Sequence, residues 1–152
     1  MLLSGIDHVA TITNDSDRLQ RFYIDIFEAT IASDGLEFPG GPRLTIIRIG
    51  PGTELNVFEI DENDQADVQT PMFGRGRIDH IGLQAPDIDT FDVIRDRLMS
   101  GGHTDGFVTD FGWKLSLFFR DPDLMECEVL VKNPDAREGH LNPPGTPAER
   151  YQ

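Results

Sequence analysis

The stretch Gly5-Ile6-Asp7-His8-Val9-Ala10-Thr11 decides the fold, because it returns as Arg77-Ile78-Asp79-His80-Ile81-Gly82-Leu83 with an offset of 72 residues. At the same offset Asp15 falls on Asp87, Asp17 on Asp89, Leu19 on Phe91, Phe22 on Ile94 and Ile26 on Leu98. A strand, a turn and a helix therefore keep one register, as expected of one module written twice. Neither half can bury its sheet alone, so the two copies are expected to pair and to bring their equivalent histidines to a shared cleft.

Hydrophobic periodicity fills in the elements. Residues 6–13 alternate as a half-buried strand with Ile6, His8, Ala10 and Ile12 on one face. Asn14-Asp15-Ser16-Asp17 offers helix N-caps, and Leu19, Phe22, Tyr23, Ile26 and Phe27 follow with helical spacing. Residues 43–49 and 55–60 read as strands around the turn Gly50-Pro51-Gly52, and residues 29–33 as another. In the second copy, residues 78–84 form the first strand. Pro86 and Asp87 precede a helix carrying Ile88, Phe91, Ile94, Leu98 and Met99, which Gly101-Gly102 ends. Residues 115–120 and 125–131 are strands around Asp121-Pro122-Asp123. The expected class is α+β, with one βαβββ module over 1–62, a connector over 63–76, a second βαβββ module over 77–132, and a Pro-rich tail over 133–152. The tail has the composition of a mobile segment, and an ordered one would fit an arm laid across a partner subunit.

Composition bounds the partners. With 13 basic and 27 acidic side chains, 152 residues carry a formal charge of −14, which opposes binding to nucleic acid or to an anionic membrane surface. Cys127 is the sole cysteine, so no intramolecular disulfide forms, and the expected compartment is the cytoplasm. The Met-Leu-Leu-Ser-Gly start lacks the basic and apolar regions of a signal peptide, and nowhere do about 18 apolar residues run together. Cys127 itself falls on the apolar face of its strand and is expected to be inert.

On the last strand of the second module, Glu126, Glu128 and Leu130 share one face, while Met125, Cys127, Val129 and Val131 form the face that packs beneath the helix. Moving back 69 residues from Glu128, close to the repeat offset, reaches Glu59. Each module then supplies a histidine from its first strand and a glutamate from its last. Two imidazoles and one or two carboxylates suit a first-row divalent ion such as Ni, Zn, Co, Mn or Fe. A lone histidine or glutamate on a strand is ordinarily packed or solvated, and it is the duplication that favours a metal site.

Ile6-Asp7-His8-Val9, then Asp17-Arg18-Leu19 with Phe22-Tyr23 after it, the repeat Ile78-Asp79-His80-Ile81, and Phe119-Arg120-Asp121-Pro122-Asp123-Leu124-Met125-Glu126-Cys127-Glu128-Val129 together resemble the vicinal oxygen chelate superfamily. This group includes glyoxalase I, extradiol dioxygenases, methylmalonyl-CoA epimerase and the fosfomycin- and bleomycin-resistance proteins. The resemblance spans residues 5–132. It implies a cupped, incomplete mixed β-barrel with the helices outside, a homodimer, and His8, His80 and Glu128 as metal ligands, with Glu59 as the fourth. Leu124 stands where the family usually carries glycine, which predicts an altered turn with the ligands kept.

With four ligands, the resemblance implies proton transfer of the glyoxalase or epimerase kind on a small molecule, through a metal-bound enediolate, with Glu128 or Glu59 as general base. With His8, His80 and Glu128 alone, the set is a 2-His-1-carboxylate site, which suits an extradiol dioxygenase or a thiol transferase resembling the fosfomycin-resistance proteins. A non-catalytic drug-binding role, as in bleomycin resistance, is a further alternative that the negative charge would suit for a cationic ligand.

Overall fold

Two aspartates start the two helices. Asp15 has an extended backbone and accepts a hydrogen bond from the Arg18 amide at 2.9 Å, and Asp87 does the same for Thr90 at 2.8 Å. Each relieves a backbone donor that has no partner inside the first helical turn. That amide holds the Asp87 carboxyl below its usual range. The computed structural model describes residue 2, residues 5–63 and residues 78–152. The connector expected over 63–76 lies outside them, apart from Asn63.

The chain divides into two compact units, Met1–Val68 with Pro122–Leu124, and Gln69–Asp121 with Met125–Gln152. In the first unit, helix α1 (Ser16–Phe27) buries Leu19, Phe22, Tyr23 and Ile26. Its sheet contains β1 (His8–Thr13), β2 (Thr30–Leu36), β3 (Arg43–Gly50) and β4 (Thr53–Glu59), ordered β1-β4-β3-β2. The β1 and β4 strands run parallel and the other pairs antiparallel. Successive side chains point to opposite faces, so Leu55 and Val57, at 1% and 0% exposure, pack on the helix side. His8, Ala10, Ile12, Asn56 and Phe58 take the other face. Arg43 binds both oxygens of Asp34 at 2.7 Å, joining β2 to β3, and this holds the Asp34 carboxyl at about 2.

The second unit repeats the plan. Helix α2 (Ile88–Ser100) buries Phe91 and Leu98, and the sheet of β5 (Ile81–Gln84), β6 (Val108–Asp110), β7 (Lys114–Arg120) and β8 (Glu126–Lys132) is ordered β5-β8-β7-β6. Cys127, Val129 and Val131 face α2, each 1% exposed. Full burial of side chains of this size contributes about 1.5–3 kcal/mol each. The three-residue strand β6 was too short and too polar to show periodicity.

The tail, whose composition suggested a mobile segment, is ordered against residues of its own unit. It folds back onto its own unit: Thr109 bridges to Pro147, the Asp110 amide donates to the Thr146 carbonyl at 2.8 Å, and the Ala148 amide donates to the Val108 carbonyl at 3.0 Å. The Tyr151 hydroxyl donates to Asp92 on α2 at 2.5 Å, with Arg95 stacked 4.9 Å from its ring. Burial and the Asp92 carboxylate both raise the Tyr151 phenol above its usual range. Gly112 makes the crossing possible, because a Cβ there would stand 2.3 Å from the His140 carbonyl oxygen.

In the β7–β8 turn, Leu124 has φ +64°. The chain thus keeps a left-handed conformation suited to glycine, and leucine bears a cost of about 1 kcal/mol. Because Leu124 is 39% exposed, little packing is lost on its removal. Leu124→Gly should therefore raise stability to urea by about 1 kcal/mol; an unchanged or lowered midpoint would show that the turn stores no such strain.

Candidate functional site

The parallel pairing of β5 with β8 sets Gly82 opposite Glu128, and the antiparallel pairing of β7 with β8 sets Phe118 opposite it on the other side. His80 lies two residues before Gly82, on the same face, so it reaches Glu128 on the diagonal: His80 Nε2 is 3.5 Å from Glu128 Oε2. Gly82 keeps this space open. A Cβ there would stand 2.9 Å from Leu130 Cδ1 and 3.5 Å from Glu128 Oε2.

Both side chains are held from behind. His80 Nδ1 lies 2.8 Å from Asp79 Oδ2. A carboxylate only accepts, so Nδ1 carries a hydrogen, and in the neutral imidazole this leaves the lone pair on Nε2. The buried Ser116 hydroxyl donates to Glu128 Oε1 in a short hydrogen bond, leaving Oε2 toward the histidine. The Phe118 ring meets His80 edge-on, with centroids 5.4 Å apart, and closes one side of the pair. Beyond Phe118 opens a cleft of about 500 Å³ that His103, Thr104, Arg120 and Glu126 also line. Glu128 is 8% exposed, so its carboxylate has little water to stabilise it.

In the first unit His8 repeats half of this arrangement. Its Nδ1 lies 2.8 Å from Asp7 Oδ1, which again directs Nε2 outward. Glu59 does not stand beside it. β1 pairs His8 with Glu54 and Thr13 with Glu59, so His8 and Glu59 are separated by five residues along the sheet, about 16 Å at about 3.3 Å per residue. Glu59 also has the parity of Leu55 and Val57 and faces the helix. Its Oε2 accepts from the Ser16 amide at 2.7 Å and lies 3.4 Å from Arg43 Nη1. A carboxylate on the first amide of α1 supplements the Asp15 cap and meets the positive end of the helix dipole.

The position in β4 that matches Glu128 is Asn56. Asn56 pairs with Ala10 and Ile46 as Glu128 pairs with Gly82 and Phe118. Keeping the offset at 72 along the whole module would have found it from the sequence, and would have placed Glu59 opposite Val131, a buried core position. Ser116 carried no sequence signal, because its role depends on which face of β7 meets Glu128. Among the described residues, no group of three or more His, Cys, Asp or Glu side chains lies close enough to hold a metal ion. What the second unit brings together is a donor pair.

That pair nevertheless fits a cation. With Nδ1–H committed to Asp79, Nε2 of the neutral imidazole and Oε2 are two acceptors facing each other, an arrangement that a proton or a metal cation between them relieves. Two atoms each bonded to one divalent ion at about 2.1 Å stand about 3 Å apart at common bond angles, close to the separation seen.

The comparisons agree with this architecture. The Glyoxalase/Bleomycin resistance protein/Dioxygenase superfamily matches residues 5–129. A glyoxylase/bleomycin resistance protein/dioxygenase domain from Frankia sp. EAN1pec is similar at 25% identity, with 91% of this chain and 96% of that chain covered and a TM-score of 0.69. The fosfomycin resistance protein FosX from Listeria monocytogenes, complexed with Mn(II) and sulfate, shares 19% identity over 90% of this chain and 98% of its own, with a TM-score of 0.64. Lactoylglutathione lyase from Agrobacterium tumefaciens shares 22% identity over 86% and 96%, with a TM-score of 0.59. No curated protein matches the chain.

If Glu59 anchors the helix, Glu59→Ala should lower stability by about 1–2 kcal/mol, the usual cost of losing a helix cap, as read by urea unfolding. An unaltered midpoint would remove that role. Two copies of one βαβ-containing module, the histidine–glutamate pair and the matched residues together lead to one assignment: the chain belongs to the Glyoxalase/Bleomycin resistance protein/Dioxygenase superfamily.

Proposed function

We propose that this protein is a metal-dependent enzyme acting on a small molecule, with His8, His80 and Glu128 as ligands of one divalent cation. The facing acceptors His80 Nε2 and Glu128 Oε2, 3.5 Å apart with each held from behind, carry this reading. When bound, the cation would supply a Lewis acid that polarises adjacent substrate oxygens. Asp79 and Asp7 set the imidazole tautomers for ligation, and Ser116 restrains Glu128 so that Oε2 points to the site. Phe118 shields the pair, and the cleft beyond it admits the substrate. Glu128 is also the group at which a substrate proton is taken up and returned, as in a glyoxalase- or epimerase-like proton transfer. Glu59 serves the helix instead.

The same 2-His-1-carboxylate set supports a second reading, extradiol oxygenation of a catechol by dioxygen with Fe(II) or addition of a thiol to an epoxide with Mn(II). The Mn(II) held by FosX favours including that ion, and another FosX structure carries Mn(II) with 1S,2S-dihydroxypropylphosphonic acid, a small diol anion. A homodimer belongs to the proposal as well. No helix among the described residues is long and apolar enough to cross a membrane.

Calorimetric titration with Mn(II) and Ni(II) tests the ligand set. His80→Ala and Glu128→Gln should each weaken binding at least about 100-fold and His8→Ala comparably, on the order of the 3 kcal/mol or more that a lost ligand costs, while Glu59→Gln binds like the wild type. Wild-type affinity in His80→Ala and Glu128→Gln would overturn the assignment. For the loaded enzyme, proton exchange with deuterated solvent should slow in Glu128→Gln. Oxygen uptake with catechols after anaerobic Fe(II) loading, without such exchange, would establish the second reading in its place.

A further inference from the structure

We infer that the loop over residues 133–146 builds a second binding site, on the opposite face of its sheet from the histidine–glutamate pair, for a small zwitterion of the amino-acid class. The loop leaves β8 where the Asn133 amide donates to the Trp113 carbonyl at 3.0 Å, and it returns to β6 where the Asp110 amide donates to the Thr146 carbonyl at 2.8 Å. Both ends thus sit on the β6–β7 hairpin. This is the plan of an Ω-loop, a compact surface loop that ordinarily packs its centre with its own side chains. Here the loop borders a cavity of about 370 Å³, within the size range of small-molecule sites. Leu115 lines it, and Leu115 pairs with Val131 on the face that packs against α2, whereas Ser116 turns the other way to Glu128. The sheet itself therefore separates the cavity from that pair.

The lining sets the charge of the ligand. Asp110, Arg137 and His140 all border the cavity. Asp110 is fixed to its strand, because its Oδ1 accepts from the Gly112 amide at 2.6 Å and from Nδ2 of the buried Asn133 at 3.0 Å. Asn133 is held in turn: it also donates to the Gly112 carbonyl at 3.1 Å and accepts from the Asp135 amide at 2.9 Å. Arg137 and His140 stand at a turn of the loop, where the His140 amide donates to the Arg137 carbonyl. Among the described residues neither of these two side chains makes a hydrogen bond or an ion pair, and Arg150, the other guanidinium on the cavity, is committed to Asp92 at 3.0 Å. Opposite charges bordering one small space attract, yet these are tied to different parts of the backbone and do not meet. A ligand carrying both charges a short distance apart engages both. Its ammonium would donate to Asp110 Oδ2, and its carboxylate would accept from Arg137, whose planar fork binds such a group with two parallel hydrogen bonds, and from His140. A simple anion or a simple cation would engage only one side.

The test is calorimetry of the full chain with free L-amino acids, each supplied at about 5 mM, a level that reveals weak binding. At least one should bind, and acetate and methylammonium, which carry one charge each, should bind about tenfold more weakly or worse. Arg137→Gln and Asp110→Asn should each weaken that amino acid about tenfold or more. Arg137 lies on an exposed loop, so its variant should melt like the wild type. Glu128→Gln should bind the amino acid unchanged. No binding by any amino acid, equal affinity for acetate or methylammonium, or wild-type affinity in Arg137→Gln would overturn the inference. Loss of binding in Glu128→Gln would overturn it as well, by assigning the amino acid to the histidine–glutamate pair. Mn(II) affinity should be the same in Arg137→Gln and the wild type, so the metal assignment and the loop site stand or fall separately.

Discussion

The pairing of β8 with β5 is the constraint on which the functional geometry depends. Parallel register places Glu128 opposite Gly82 and hence diagonal to His80. A slip of one residue would turn Glu128 under α2 and bring Cys127 or Val129 to the open face. What prevents the slip is burial: Cys127, Val129 and Val131 must stay with Phe91 and Leu98, and the alternation of the strand then delivers the carboxylate to the opposite side. The histidine–glutamate pair is thus positioned by the hydrophobic core behind it.

The repeated Ile-Asp-His made much of this legible without coordinates. Both helices, their aspartate caps and the faces of β1 and β8 follow from periods of two and 3.6 and from cap chemistry. Glu59 shows where such reading stops. A glutamate near the end of the right strand looked like the partner of Glu128, but three residues of drift in the offset change its parity, and parity decides between the open face and the helix. Only the observed pairs His8 with Glu54 and Thr13 with Glu59 resolve this. Strand β6 and the tail were illegible for another reason. Their contacts are main-chain bonds made by residues such as Thr109, Asp110 and Pro147, whose side chains show no pattern.

The two modules share a fold and differ in the residues at matched positions. Each retains the aspartate that orients its histidine, yet the neighbouring positions have diverged: Glu128 with Ser116 in one, Asn56 with Leu44 in the other. Divergence at these places leaves the helix side of each sheet untouched, because alternation along a strand keeps its two faces separate.

The folding back of residues 146–148 along β6 has a consequence for colloidal behaviour. An outermost strand with unused amides and carbonyls is a template onto which another polypeptide can add, and such growth leads to fibrils. By occupying Val108 and Asp110 with residues 146–148, the chain seals that border internally, and a proline at the bridge deprives any newcomer of a donor there.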